Sequence, residues 1–294
     1  MPRSRNGFAL AEERPRRGPG SWVARGLVLT VVLVAGLGAW FGGRTLFQSV
    51  LGPRCQASAA GSSVDFDPEQ MSNAATITAI ALRRGLPARA ATIALATAIQ
   101  ESKLRNIRYG DRDSVGLFQQ RPSQGWGTVE QILDPEYSTN KFYDALVKVD
   151  GWETGTITVV AQKVQRSAYP EAYADHEQEG RILASSLAGH SPRGVGCRLD
   201  DPEGEADVAL VGRLLDAEYA LTTKAVDGTL SVQAPSEQLA WSVASWAVAK
   251  AVDTGITGVT IGDRQWTRSR DSSAWEWQSA ETPVGSQEVR LHLT

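Results

Sequence analysis

An uncharged apolar segment near the N-terminus, GLVLTVVLVAGLGAWFGG at residues 26–43, is the feature that most constrains this chain. A transmembrane helix needs roughly 17–25 mainly apolar residues, whereas the apolar part of a secretory signal has only about 7–15. The segment therefore predicts a transmembrane helix over residues 26–47. Small residues at 56–63 leave removal of a cleaved signal as an alternative. A buried helix of a soluble domain is the least favoured interpretation.

The charges that precede this segment predict its orientation. Residues 1–25 contain six arginines and two glutamates. Positively charged flanks remain on the cytoplasmic side of a membrane, so residues 1–25 are expected to form a cytoplasmic tail. Everything after Arg44 is then expected to lie outside. The sequence thus predicts a single-pass protein of the cell membrane, with a cytoplasmic N-terminus and an extracytoplasmic bulk. One spanning segment without ionisable residues argues against a transporter.

The only two cysteines, Cys55 and Cys197, both follow the apolar segment. An oxidising extracytoplasmic compartment permits a disulfide between them. Such a bridge would join the two ends of the region that they bracket. Two free thiols, or pairing between chains, are the alternatives.

The rest of the chain predicts an α+β protein with two folded domains. Asp67-Pro68 supplies a helix cap with proline at the first helical position, and further helical patterns follow as far as Gly189. Beyond a polar stretch, alternating segments such as TLSVQA are typical of strands. The predicted parts are a linker at 48–65, a mainly helical domain at 66–190, a linker at 191–205 and a small α/β accessory domain at 206–294.

Glu101 is the residue that first indicates chemistry. It lies at the end of an alanine-rich helical pattern, PARAATIALATAIQES at 87–102. The helix dipole disfavours a negative charge near a helix C-terminus, and burial against apolar residues disfavours it further, so both effects raise the pKa of the carboxyl. A carboxylic acid that is protonated near neutral pH can donate its proton to a leaving glycosidic oxygen. A solvated glutamate at a helix end is the plainer alternative.

The segment after Glu101 contains residues suited to binding sugars. Amide side chains in GLFQQ, residues 116–120, can hydrogen-bond hydroxyl and acetamido groups, and glycines allow close approach of the backbone. The flat ring of Trp126 can pack on a sugar, with core packing as the alternative. The candidate binding residues in this segment are Ser114, Gly116, Gln119, Gln120 and Trp126.

These motifs resemble the lysozyme-like superfamily of goose-type lysozymes and soluble lytic transglycosylases. There, Glu-Ser at a helix end is followed by Ser-x-Gly-Leu-Met-Gln, and the glutamate is the catalytic acid. The resemblance assigns that role to Glu101 and places Ser114 and Gln119 in the sugar cleft. The longer segment from 100 to 127 is similar to a lysozyme-like group of secreted or membrane-anchored proteins of actinomycete type. The resemblance extends over residues 66–190 and does not include the last 90 residues.

The chain departs from this pattern at two places. Phe118 replaces the usual methionine, and AQKVQRSAYP at 161–170 stands where the superfamily often has Ala-Tyr-Asn-Ala-Gly. In that segment Gln165 is expected to replace the asparagine, and Tyr169 to supply the aromatic hydroxyl. Both are therefore candidate substrate-binding residues.

A second carboxylate would decide the type of reaction. Glycosidases generally use two, about 5–5.5 Å apart for retention and about 6.5–9.5 Å apart for inversion. Asp111 and Asp113 are the nearby catalytic candidates, although the GDRD sequence is also ordinary turn chemistry. Without a second carboxylate Glu101 must act first as acid and then as base. The resemblance to lytic transglycosylases implies that case, in which the sugar's own hydroxyl closes an anhydro ring.

The function expected from the sequence is cleavage of peptidoglycan glycan strands. The alternative is a catalytically inactive peptidoglycan-binding or cell-envelope assembly module. A third hypothesis gives the function to the C-terminal domain. Its tryptophans at 275 and 277 offer a surface for a glycan or a cell-envelope protein partner, while core or hairpin packing is the favoured interpretation of both. The net charge of −3 gives no nucleic-acid signature, and the three histidines lack metal-ligand spacing. No cofactor or metal is expected.

Overall fold

The computed structural model describes residues 52–165, 170–204, 206–226 and 228–293. The predicted cytoplasmic tail and transmembrane helix, residues 1–47, lie outside the described residues, as does Tyr169. Among the helices that are described, none combines the length and the apolar character needed to cross a membrane.

The first part of the described chain is mainly helical, as predicted. Its elements, in chain order, are β1 (Arg54–Ala59), β2 (Ser62–Phe66), α1 (Pro68–Arg83), α2 (Ala88–Ser102), α3 (Val129–Ile132), α4 (Pro135–Leu146), α5 (Ile157–Gln165), a 3₁₀ helix (Pro170–His176), α6 (Glu177–Leu187) and β3 (Val195–Arg198). Two further short 3₁₀ helices cover Pro122–Gln124 and Ser272–Trp275.

The second part contributes two helices and the remaining strands. Its elements are α7 (Val208–Tyr219), β4 (Thr223–Val226), β5 (Thr229–Gln233), α8 (Glu237–Thr254), β6 (Ile256–Ile261), β7 (Arg264–Thr267), β8 (Gln278–Ser279) and β9 (Glu288–Leu293). The strands form a six-stranded sheet in the order β4-β5-β9-β6-β7-β8. Every pairing is antiparallel. The chain as described is therefore α+β, and this part of it is not α/β in the strict sense.

The alanine-rich helix α2 is central, as its composition predicts. Most of its residues are buried, and the alanines let neighbouring helices approach closely. One close approach is from Gly180 of α6, where an added Cβ would lie 2.9 Å from the carbonyl oxygen of Thr92. A side chain at position 180 would therefore push α6 away from the helix that carries Glu101.

A small sheet joins the two ends of the helical part. Its strands lie in the two segments that the sequence predicts as linkers, so both of those predictions are wrong. Its strand order is β2-β1-β3, and Cys55 of β1 pairs in register with Cys197 of β3. The two cysteines form the predicted disulfide. The described part of segment 48–65 is thus a hairpin, and segment 191–205 contains a buried strand. Most residues of β1 are small, so its sequence does not indicate a strand. In the structure alternate positions of β1 are buried.

The predicted domain boundary does not separate two bodies. Contacts group Gly52–Thr294 into one compact unit, in which α1 of the first part packs on α8 of the second. Trp277 also crosses this boundary: its indole N–H donates to the carbonyl of Val195 at 2.9 Å, and its ring meets Trp241 edge-on. Trp277 is therefore a buried packing residue, which is the interpretation that the sequence favours.

Candidate active site

Glu101 occupies the last turn of α2, and the chain leaves the helix sharply behind it. Lys103 and Leu104 both have left-handed backbone conformations, with φ of 56° and 59°. Two amides of α1 hold this turn: Gln70 donates to the carbonyl of Lys103 at 2.7 Å and Asn73 to that of Leu104 at 2.8 Å. Because carbonyls at a helix end lack helical partners, these bonds stabilise the end of α2 and fix the position of Glu101.

Ser102 connects the end of α2 to the GLFQQ segment. Its hydroxyl donates to the carbonyl of Leu117 at 2.7 Å, in a buried position. Leu117 itself is fully buried, and neighbouring Phe118 stacks on Phe142 with ring centroids 4.6 Å apart. Ser102 thus has the structural role of holding the GLFQQ segment beside Glu101. The sequence prediction gave this serine no function.

The carboxyl of Glu101 is partly buried and is hydrogen-bonded by two side chains. The hydroxyl of Tyr173 donates to its Oε1 at 2.6 Å, and Gln165 also hydrogen-bonds it. Removal of the carboxyl from water raises the pKa of Glu101 above its usual 4.5, and the two hydrogen bonds lower the pKa without cancelling this effect. Burial, as predicted from the apolar helix, therefore dominates.

Tyr173 is the site residue that the sequence did not single out. It lies fully buried in the 3₁₀ helix Pro170–His176, most of which the sequence predicts as the start of an α-helix. The prediction of an aromatic hydroxyl in this segment was made for Tyr169, which the structure does not describe. Tyr173 lies four positions after Tyr169, and this closeness is the sequence signal that could have identified it.

Gln165, which is expected to replace the asparagine of the superfamily pattern, lies beside Glu101. A primary amide carries two N–H donors, so it can hold two partners at once. Gln165 donates to the carbonyl of Phe118 at 2.7 Å and hydrogen-bonds the Glu101 carboxyl. It therefore joins α5, the GLFQQ segment and Glu101.

Three further candidate binding residues contribute to the loop that contains the GLFQQ segment: Ser114, Gly116 and Gln119. Gly116 has φ of 80°, and an added Cβ would lie 2.8 Å from the carbonyl oxygen of Ile132, so glycine is required there. Ser114 is buried, and the amide of Gln119 reaches the carbonyls of Tyr109 and Gly116 at 3.3 Å each. These contacts brace the loop from within.

Gln120 does not lie on a cleft. Only 2% of it is exposed, and its amide donates to the carbonyl of Ser138 at 3.0 Å. It therefore lacks the access to a ligand that its predicted binding role requires. The QQ dipeptide contains no signal that distinguishes an interior amide from one that faces a ligand.

The two aspartates are positioned differently from a catalytic pair. The side chain of Asp111 is 87% exposed, next to Arg112. Asp113 accepts hydrogen bonds from the Arg121 guanidinium and from the backbone and hydroxyl of Ser123, all between 2.8 and 3.0 Å. These bonds, that of Arg121 foremost, hold the pKa of Asp113 well below its usual range. Asp113 is thus an ionised carboxylate, and both of its oxygens are hydrogen-bonded to residues that follow in the same loop.

An open groove of about 660 Å³ adjoins the site at Gln165, and Glu101 itself is not among the residues that line it. Gln165 lines it, and so does Trp126, whose ring is partly buried against the core. Because Gln165 also contacts the carboxyl of Glu101, it connects the groove to the acid. The volume lies within the range of roughly 300–1,000 Å³ that is common for small-ligand sites.

The described side chains include no cluster of three or more His, Cys, Asp or Glu residues that could hold a metal ion. Comparison of the sequence with protein-family models finds no matching family, and comparison with curated proteins finds no match.

Proposed function

We propose that this chain cleaves the glycan strands of peptidoglycan, between N-acetylmuramic acid and N-acetylglucosamine, with Glu101 as the general acid and base. The observation that carries the proposal is the Glu101 carboxyl, which burial biases toward its protonated form while Tyr173 holds one of its oxygens. A positioned acid of this kind accelerates bond cleavage by typically about 10²–10⁴-fold.

In the first step Glu101 donates its proton to the glycosidic oxygen. The bond from that oxygen to the sugar C1 breaks, positive charge develops on the sugar ring, and Glu101 becomes a carboxylate. The hydrogen bonds from Tyr173 and Gln165 favour the charged form of Glu101, as their effect on its pKa indicates. They therefore stabilise the anion as it forms, which helps the step that burial alone would oppose.

In the second step the Glu101 carboxylate accepts a proton from a hydroxyl of the same sugar. The oxygen of that hydroxyl bonds to C1 and closes an anhydro ring, and Glu101 is again protonated. This route is favoured over water attack by a second carboxylate, because Asp111 is exposed and Asp113 is held by Arg121 and Ser123. The proposed enzyme is thus a lytic transglycosylase, and Trp126 offers an apolar face to a sugar in the groove.

The proposed location is the outer side of the cell membrane, with residues 26–47 as the anchor. The disulfide between Cys55 and Cys197 is consistent with an oxidising compartment. The substrate is found on the same side of the membrane.

The chemical nature of the released ends tests the proposed reaction. Full-length protein incubated with purified sacculi is expected to release fragments that end in anhydro sugars, each lighter by one water than a hydrolysis product. Mass spectrometry of the fragments distinguishes the two. Reducing ends alone would overturn the transglycosylase step. Binding to sacculi without any release of fragments would overturn the enzyme and favour a silent wall-binding module.

Tyr173→Phe is expected to lower kcat by about 10- to 100-fold, because it removes a hydrogen bond to the carboxylate that forms in the first step. The same bond lowers the pKa of Glu101, so its loss raises that pKa further. The descending limb of the pH–rate profile is therefore expected to move to higher pH. A lower rate with an unmoved limb would show that Tyr173 only maintains the fold.

A further inference from the structure

The groove beside Glu101 carries an excess of positive charge. Lys141, Lys148 and Lys163 all line it. Lys148 and Lys163 are exposed and form no ion pair within the described part of the chain. The ammonium of Lys141 lies 5.4 Å from the centroid of the Tyr137 ring.

The acidic side chain in the groove does not neutralise these lysines. Asp144 is the carboxylate among the described residues of the lining, and its Oδ1 bonds to Arg84 at 2.7 Å. Several positive charges in one concave site create a strong positive electrostatic potential. Such a potential attracts anions. The groove is therefore suited to an anion.

The position of the groove indicates which part of a ligand the anion belongs to. Gln165 lines the groove and hydrogen-bonds the Glu101 carboxyl, so a strand that is cut at Glu101 and continues past Gln165 enters the groove that the lysines line. The hydroxyl and acetamido groups of the amino-sugar backbone are neutral, and N-acetylmuramic acid is charged only through its lactyl substituent, where no peptide stem is attached. The anion must be carried by a substituent of the strand.

We infer that the lysine-lined groove binds a carboxylate or phosphate substituent of the glycan strand and selects substituted strands over bare ones. This inference rests on the proposed function, since it takes the amino-sugar strand as the occupant. Peptide stems supply carboxylates, and phosphodiester-linked polymers supply phosphates. The two sources share the chemistry that three ammonium groups recognise.

Equilibrium binding by a full-length chain that cannot cleave its ligand tests this inference. Lys148→Gln and Lys163→Gln are combined in a Glu101→Gln background, and Lys224→Gln, an exposed lysine of β4 outside the groove, is the matched control. Four soluble probes are compared: strands with peptide stems, the same strands after an amidase has removed the stems and freed the lactyl carboxylates, strands with a phosphodiester-linked polymer, and the neutral hexamer of N-acetylglucosamine.

The double variant is expected to bind at least one charged probe about three- to tenfold more weakly than its parent, as is typical for two exposed charge contacts. Its affinity for the neutral hexamer is expected to change less than twofold. Added salt should shrink the difference, since it screens exposed charges. Loss on stemmed strands identifies carboxylates, and loss on polymer-bearing strands identifies phosphate.

Equal affinity of the double variant and the Lys224 control for every charged probe would overturn the inference, as would an equal loss on neutral and charged probes. Because binding is measured without cleavage, the result is separate from that of the fragment-release assay. If no fragments are released but the double variant shows the selective loss of binding, the anion site stands. Only the proposed enzymatic activity is then refuted.

Discussion

Glu101→Gln is expected to lower the rate of fragment release from sacculi by at least about 100-fold. Glutamine has nearly the same shape as glutamate, and its side-chain oxygen can still accept the hydrogen bond from Tyr173, so the fold and the groove should persist. It can neither donate the first proton nor accept the second. The rate is measured as soluble fragments released per unit time, and binding to sacculi is measured in parallel.

Glu153→Gln is the matched control for this substitution, because it removes an exposed carboxylate from the loop before α5. The control is expected to retain the wild-type rate. A Glu101→Gln protein that keeps more than about one-tenth of the wild-type rate would remove Glu101 from the mechanism.

The same variant is expected to alter how stability depends on pH. The pKa of Glu101 is higher in the folded chain than the usual 4.5. The stabilising contribution of this group is then complete below pH 4.5 and is lost as the pH rises through the folded-state pKa. The free energy of unfolding of the wild type, relative to Glu101→Gln, should therefore fall across that interval, as measured by urea denaturation at several pH values.

Glu218→Ala is expected to destabilise the described unit by about 3–5 kcal/mol. Glu218 and Lys250 form a buried ion pair at 3.3 Å. The Glu218 carboxylate also accepts hydrogen bonds from the Trp246 indole at 2.6 Å and the Thr76 hydroxyl at 3.0 Å. Removing the carboxylate leaves the Lys250 ammonium buried without its counter-charge, which is the costly outcome. Urea denaturation of the two proteins measures the difference.

Two further variants show whether the loss comes from an unpaired charge. Glu177→Ala breaks an exposed ion pair with Arg181 on α6 and should cost no more than about 1 kcal/mol. Replacing Glu218 and Lys250 together by methionine should recover much of the stability that Glu218→Ala loses, because no charge stays buried. A loss below about 1 kcal/mol for Glu218→Ala would contradict the importance of this network.

The same network explains why the sequence predicts two domains where Gly52–Thr294 forms one unit. Thr76 belongs to α1, whereas Glu218 and Lys250 belong to α7 and α8, so their contact spans more than 140 residues of chain. Local composition shifts at 191–205, and that shift was the only signal for a boundary. Long-range pairing of buried polar groups leaves no trace in local composition.

Helix starts were predictable because their determinants are local. Asp67, Asp134 and Ser236 each accept a hydrogen bond from a backbone N–H in the first turn of the helix that follows. The hairpin β1–β2 was missed because its small polar residues also suit a tether. Its burial depends on pairing with β3, which follows more than 130 positions later.

The candidate site was predictable in part for similar reasons. Glu101 could be located because one carboxylate ends an apolar helix, and Gln165 because the resemblance aligned it. Tyr173 was missed because a 3₁₀ helix, at a place where the sequence predicts an α-helix, brings it to Glu101. Gln120 was misplaced because the choice between interior and cleft depends on Ser138, to which its amide is bonded.

A titration of Glu101 tests the central claim most directly. NMR detection of side-chain carboxyl carbons, with the Glu101 signal identified by its absence from Glu101→Gln, measures the midpoint at which this group ionises. We expect that midpoint to lie above 4.5, because burial outweighs the hydrogen bonds from Tyr173 and Gln165. A midpoint at or below 4.5 would mean that Glu101 has no proton to give near neutral pH, and would contradict its role as the acid.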